Sequence, residues 1–455
     1  MLLVDLLVHI SRINACMKIY CSGIGGIGLS AYAAMQNANG HKVLGSDRTE
    51  SELLNDLRSQ GISISLNQDG TYIPEDVELF VFTEAMPKDA PEMVRARELG
   101  VKMQNYFEAL GDLSRDYKII AVCGTHGKSS TVAMAARVLI DAGVDPSVVV
   151  GTKLHELDGR NWRRGQSDYF LLEACEYRGS FLSLSPDIVL MTNADGDHFD
   201  AFESVKVYQE TFVEFLNKLT GDGVVITHMN DPDCVRIIRD AKKKAVDIDS
   251  VPLPELGVPG KHMRENAQLV IGMSGVIGID EDQVLNSLKK YSGCWRRMEV
   301  VGTYEGATVI DDYAHHPREI SATIQSALEA YPDKRILCVF QPHIHDRTLK
   351  LYEDFKKCFK GAHELVITDV YDARSDVENE KVDIEKLRSD IEEGSEVRTR
   401  YEGDLDSTEN ALKNGIIQSG DVLICLGAGD ITVMARRIVT SHKSQDLSQV
   451  IHHKS

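Results

Sequence analysis

The sequence predicts an α/β protein of three units with largely parallel sheets, and three observations carry that reading. Apolar strand-like runs alternate with helix-like segments along nearly the whole chain, the pattern of strands set parallel by helical crossovers. Glycine-rich loops stand at two strand-to-helix junctions, "GIGGIGLSA" (residues 23–31) and "GTHGKSST" (residues 124–131). The length, 455 residues, exceeds what one hydrophobic core organises and implies two to three domains.

Residues 1–16 are apolar but carry Asp5 and lack a basic leader. They read as an extension rather than a signal peptide, with the fold beginning near Met17. The first unit, 17–113, takes strand "KIYCSG", the first glycine loop, a helix, strand "KVLGSD", a helix through "ESELLNDLRSQG" and strand "ELFVFT". A polar hinge, "GDLSRD", follows. The second unit, 114–293, opens with strand "YKIIAV", the second glycine loop and helix "SSTVAMAARVLIDAG". It continues through strands "YFLLEACE", "DIVLMTN" and "GVVITH". The third, 294–440, opens at "CWRRMEVVG" and contains "ATVIDDYAHHP", "RILCVFQPH", "ELVITDV" and "DVLICLGAGD", each followed by a helical stretch. Residues 441–455 are polar and read as a flexible tail.

The formal charge of −20 argues against nucleic acid, which needs a basic footprint. It leaves nucleotides open, since backbone N–H groups and one or two cations hold those locally. Nine cysteines lie scattered with no CxxC pair, so reduced thiols and a cytoplasmic location are expected. No apolar run reaches membrane-spanning length, and no membrane insertion is expected.

Gly23, Gly25 and Gly28 form G-x-G-x-x-G between a strand and a helix. Such glycines let the backbone turn tightly and approach a diphosphate at the helix N-terminus. Asp47 closes the next strand, where a ribose-binding acid is expected. Alone, this loop suggests a dinucleotide-dependent oxidoreductase. The second loop is a shortened P-loop: Gly124, Gly127, Lys128 and Ser129 are present, but Val122 stands where the full pattern has its first glycine. Its backbone N–H groups would surround the β-phosphate, Lys128 would reach the β/γ-phosphates, and the Ser129 hydroxyl could ligate Mg²⁺.

Further metal ligands are available at the ends of neighbouring strands, where α/β ligand sites form. "LLEACE" places Glu173 and Glu176 there, and "TNADGDHFD" places Asn193, Asp197 and His198. In the third unit, Arg296 and Arg297 stand at the domain seam and suit triphosphate neutralisation. "DDYAHHP" (Asp311, Asp312, His315, His316) and "FQPHIHDRT" (His343, His345, Arg347) sit at strand-to-helix turns and read as the other wall of a cleft.

Taken together, "GIGGIGLSA", "GTHGKSST", "EACEYRGSFL", "TNADGDHFD", "RRMEV", "DDYAHHP", "FQPH…RT" and "GAGDI" resemble the Mur ligase family, from Met17 to about Val439. The resemblance implies a Rossmann-like N-terminal domain for a UDP-sugar, a central P-loop ATPase-like domain with a mostly parallel sheet, and a C-terminal Rossmann-like domain that admits the amino acid. It implies ATP-dependent joining of L-alanine to the lactyl carboxylate of UDP-N-acetylmuramate through an acyl phosphate, with Mg²⁺ as cofactor, in a monomer or homodimer. By similarity, Gly23, Gly25, Gly26, Ile27, Gly28 and Asp47 would bind the UDP-sugar. Gly124, Thr125, His126, Gly127, Lys128, Ser129, Ser130, His262, Asn266, Arg297 and Asp312 would bind ATP. Ser129, Glu173 and His198 would hold metal. Lys128, Asn193, His198, His343 and Arg347 would act in catalysis, with Arg374 on the alanine side.

Four features depart from the family pattern. Met263 replaces an asparagine expected near adenine, Asn67 and Gln68 replace a Gly-His pair, and Cys175 replaces an aspartate. Only 26 residues separate Asp233 from Gly260, which implies that part of a side sheet is missing. Two other readings remain: a family member that adds a whole tripeptide to the same sugar, and an NAD-type oxidoreductase built on the first loop.

Overall fold

The computed structural model describes residues 16–196, 201–372 and 380–452. Three sheets follow one another along the chain. The first holds β1 (Lys18–Ser22), β2 (Lys42–Ser46), β3 (Ser63–Ser65), β4 (Leu79–Phe82) and β5 (Lys102–Asn105), in the order β3-β2-β1-β4-β5. Every pairing is parallel, which is the doubly wound order with its switch point beside β1.

The second sheet contains β6 (Lys118–Cys123), β7 (Ser147–Leu154), β8 (Arg160–Arg163), β9 (Tyr169–Glu173), β10 (Ile188–Met191), β11 (Val224–Thr227) and β12 (Ala245–Asp247). Its order is β12-β11-β10-β6-β9-β7-β8. The third contains β13 (Glu299–Tyr304), β14 (Ala307–Asp312), β15 (Ile336–Phe340), β16 (Glu364–Ile367), β17 (Arg398–Tyr401) and β18 (Val422–Leu426), in the order β13-β14-β18-β15-β16-β17.

The strands predicted from apolar runs are the buried ones. β10, β15, β16 and β18 are buried at every residue, as expected for parallel strands covered on both faces. Each of the last two sheets has one antiparallel edge strand, β8 and β13. The chain reverses through Asp158-Gly159 and Glu305-Gly306, all four with positive φ, the backbone that a right-twisted hairpin requires.

The hinge expected at "GDLSRD" is mostly helix. The helix Tyr106–Ser114 starts at an Asn105–Glu108 capping box and runs through Gly111. A Cβ at Gly111 would lie 2.3 Å from the Ser183 carbonyl oxygen, so this glycine permits a close helix approach instead of a bend. Between β12 and the helix Lys261–Ile277 no further strand is described, in keeping with the short spacing there. The C-terminal helix Ile431–His452 continues through much of the stretch read as a tail.

The helix Lys128–Asp141 packs with Lys261–Ile277 and Glu281–Lys289 on one face of the second sheet, and Val205–Leu216 and Pro232–Ala241 cover the other. The first and second units meet at the N-terminus of the helix Ile27–Ala38, where the Asn161 amide donates to the Ile27 carbonyl and to Ser30 Oγ.

Candidate active site

The strand order decides what surrounds the second glycine loop. β6 lies between β9 and β10, so residues 124–127 emerge between Glu173 at the end of one neighbour and Asn193 just past the other. The loop fits closely. Gly124 has φ +135°, and a Cβ there would lie 2.0 Å from Thr192 Oγ1. Gly127 has φ +84°, and its Cβ would lie 2.7 Å from Asn266 Oδ1. Both glycines are required by conformation and by space.

Asn193 fixes the loop backbone from both sides: its Oδ1 accepts from His126 N at 2.9 Å, and its Nδ2 donates to His126 O at 3.2 Å. Thr125 Oγ1 shares a 2.8 Å hydrogen bond with Tyr208 Oη. Lys128 Nζ donates to the Gly124 and Thr125 carbonyls at 2.5 and 3.0 Å and to Glu176 Oε1 at 3.0 Å. Burial alone would depress the Lys128 pKa, but Glu176 and the neighbouring Glu173 outweigh it and hold the ammonium above its ordinary value. The residue therefore stays charged.

Two cavities open beside this loop. The smaller cavity, about 380 Å³, is lined by Gly127, Ser130, His262, Asn266, Arg297 and Asp312, among others. Met263 also faces it, leaving a thioether where an amide was expected. A larger cavity, about 960 Å³, lies between the first and second units. Gly26, Ile27 and Gly28 of the first loop form one wall; Ser129, Glu173 and Cys175 form another. Burial pushes the Cys175 thiol up to about 12. Arg297 lines both cavities. Its neighbour Arg296 does not share that task. It turns into the "GAGD" loop, donating to the Gly427 and Gly429 carbonyls, and pairs with buried Asp311 at 3.6 Å.

Asp47 supports the first loop. Its Oδ2 accepts from Gly25 N at 2.8 Å and its Oδ1 from Arg48 N at 2.7 Å. Asp47, Gly23 and Gly25 thus shape the first loop from behind, and none of them lines the cavity. Gln68 bonds to Ser46 and Arg48, and Asn67 to Asp69; neither faces the cavity.

Ser129 Oγ donates to Glu173 Oε2 at 2.8 Å. These are hard oxygen donors from different elements and fit an oxygen-seeking divalent cation. His198 and Arg374 lie outside the described residues, and among the described residues no group of three His, Cys, Asp or Glu side chains is placed to hold a metal.

Asp312 accepts from Met298 N at 2.7 Å and Ala314 N at 2.8 Å, yet burial raises its carboxyl to about 6 against the pull of Arg297. His343 Nδ1 lies 3.0 Å from Arg347 Nη1. This pair joins the larger cavity through a chain of rings: Tyr313, which lines that cavity, packs edge-on against His315, and His315 against His343.

Sequence reasoning passed over Glu319. Its Oε1 lies 3.2 Å from His126 Nδ1 and 3.7 Å from Arg297 Nη1, while its Oε2 accepts from His315 N and His316 N. Burial alone would raise its pKa, but His315, His126 and Arg297 hold it well below the usual range. The sequence signal present, a residue capped by a Glu three positions on, indicates a helix start and nothing more. Arg318, likewise unremarked, pairs with Asp195 beyond β10.

A P-loop at the junction of three α/β units, with a second cavity opening onto its Ser129, defines an ATP-dependent ligase. Models of the Mur ligase family match in three stretches: "Mur ligase family, catalytic domain" over residues 18–118, "Mur ligase middle domain" over 122–252, and "Mur ligase, glutamate ligase domain" over 296–429. The chain belongs to the Mur ligase family. It is similar to the UDP-N-acetylmuramate–L-alanine ligase of Clostridium novyi, 35% identical over 91% of this chain and 95% of that one. The crystal structure of UDP-N-acetylmuramate–alanine ligase from Thermotoga maritima matches with a TM-score of 0.80 at 28% identity, covering 94% of this chain and 100% of that one. A murein peptide ligase from Psychrobacter arcticus shares the fold with a TM-score of 0.69 at 20% identity, covering 93% and 98%.

Proposed function

We propose that this chain joins L-alanine to the lactyl carboxylate of UDP-N-acetylmuramate at the expense of ATP, in the cytoplasm, as a step in peptidoglycan precursor synthesis. The observation that carries this reading is the shared wall of the two cavities. Gly127 and Ser130 face the nucleotide cavity, Ser129 and Glu173 the larger one, and Arg297 both. A γ-phosphate seated on the loop therefore points at a carboxylate presented from the other side.

A carboxylate oxygen attacks the γ-phosphorus, the bond to the β-phosphate oxygen breaks, and ADP leaves an acyl phosphate behind. Lys128 and Arg297 neutralise charge on the moving phosphoryl group. The amine of alanine then attacks the acyl carbon, the carbon–oxygen bond to phosphate breaks, and the amine proton passes to solvent. Ser129 and Glu173, with His198, would hold Mg²⁺, which when bound supplies positive charge at the β/γ-phosphates. The His343–Arg347 pair is assigned to the alanine side. Docking of the C-terminal unit over the nucleotide cavity excludes water that would hydrolyse the acyl phosphate.

The test is ADP release with ATP, Mg²⁺, UDP-N-acetylmuramate and either alanine or the tripeptide L-alanyl-γ-D-glutamyl-meso-diaminopimelate. Turnover with alanine supports the reading; turnover with the tripeptide alone overturns it. Tight nicotinamide-dinucleotide binding without ATP turnover would favour the oxidoreductase instead.

A further inference from the structure

We propose that Glu319 is a positioning residue: its carboxylate holds Arg297 and the phosphate-loop residue His126 in the arrangement that receives the nucleotide, and so couples docking of the third unit to completion of the phosphate site. This rests on the reading that the site turns over ATP.

The two oxygens of Glu319 have different tasks. Oε2 accepts from His315 N at 3.2 Å and His316 N at 3.4 Å and completes the capping box of the helix Pro317–Ala330. A glutamate needed only as a cap would be satisfied there. Oε1 instead faces His126, 193 positions away in the second unit, and Arg297 at the seam. The side chain is only 12% exposed, so these are partners in a shielded site where charge interactions are strong. His126 also packs on the His316 ring at 4.5 Å, and the adjacent Arg318 reaches Asp195. The first turn of one third-unit helix thus clasps both the phosphate loop and the end of β10. If the units separate, His126 loses this carboxylate, and the Glu319–Arg297 pair leaves the phosphate loop together with the third unit. Because Arg297 borders both cavities, its orientation matters to the phosphate and to the attacking carboxylate alike.

Glu319→Gln keeps the shape and the cap, since glutamine serves at that position, and removes the charge. We expect a near-wild-type melting temperature, kcat down and KM for ATP up by about tenfold each, and little change in KM for the UDP-sugar. Glu319→Ala should show the same kinetic loss with a lower melting temperature. In a cycle with Arg297→Ala, the double variant should lose less than the product of the single losses, because the residues act as a unit. Wild-type kinetics in Glu319→Gln, or fully multiplicative losses, overturn the proposal. Wild type runs in parallel: if it releases no ADP with UDP-sugar and alanine, the functional reading falls. Calorimetric ATP binding then decides on Glu319 by itself, with about tenfold weaker binding in Glu319→Gln supporting the role and equal binding overturning it.

Discussion

Lys128 and Glu176 form a closed pair beneath the phosphate loop, with Nζ 3.0 Å from the carboxylate and Glu176 only 1% exposed. An arriving phosphate competes with Glu176 for the ammonium, so the pair sets both the loop's stability and its readiness. Lys128→Ala should abolish turnover, lowering kcat by on the order of 10³. It should also cost about 3 kcal/mol of stability, because Glu176 is left buried without its cation. Lys128→Ala/Glu176→Gln should recover most of that stability and none of the activity. Comparable turnover in the double variant and the wild type would remove Lys128 from the mechanism.

The two glycine loops can be tested separately. Gly127→Ala forces a Cβ into the Asn266 amide at φ +84°, a left-handed backbone costing about 1–2 kcal/mol for a non-glycine residue. ATP binding should weaken at least about tenfold, with UDP-sugar binding unchanged. Calorimetry with each ligand alone reads both.

Gly28→Ala should do the reverse. Its Cβ would lie 2.7 Å from the Tyr106 ring, which faces the larger cavity. The KM for UDP-N-acetylmuramate should rise several-fold while ATP affinity holds. A rise in KM for ATP alone would contradict the division of labour between the loops.

Asp312 gives a pH signature. Its folded carboxyl is raised from 3.8 to about 6 by burial, so between those values the folded state binds more protons than the unfolded. Its contribution is therefore most favourable below about pH 4 and is lost as pH rises through 6, at a cost near 3 kcal/mol. Asp312→Asn, which never ionises, should gain on wild type by up to that amount between pH 4 and 7.5, read as the difference in unfolding free energy. A difference that is flat or of opposite sign would refute the raised carboxyl.

Most of the buried parallel strands and the P-loop were legible in the sequence because each is locally coded, by a continuous apolar run or by glycines around a lysine; β7, mostly buried and parallel to β9, was passed over. The edge strands β8 and β13 were not. Their residues are less apolar, and their signals, Asp158-Gly159 and Glu305-Gly306, lie in turns. Arg296 and Arg297 are neighbours of identical type; only the positive φ of Arg296 and the reach of the "GAGD" loop separate the structural arginine from the one facing the cavities. Asp47 followed the expected spacing but spends both oxygens on its own loop. Glu319 could not be found at all, since one of its partners, His126, comes from another unit 193 positions away, and no spacing along the chain encodes a carboxylate shared across a seam.

Because one guanidinium is the common border of the two cavities, a single synthetic ligand could occupy both. Such a molecule would carry a purine nucleotide at one end and a lactyl-sugar mimic at the other, joined by a short tether past Arg297. The second end would bind intramolecularly, so the two affinities would combine through effective concentration and exceed either end alone. A tether that misses the opening would forfeit that advantage, which makes its length the first variable to scan.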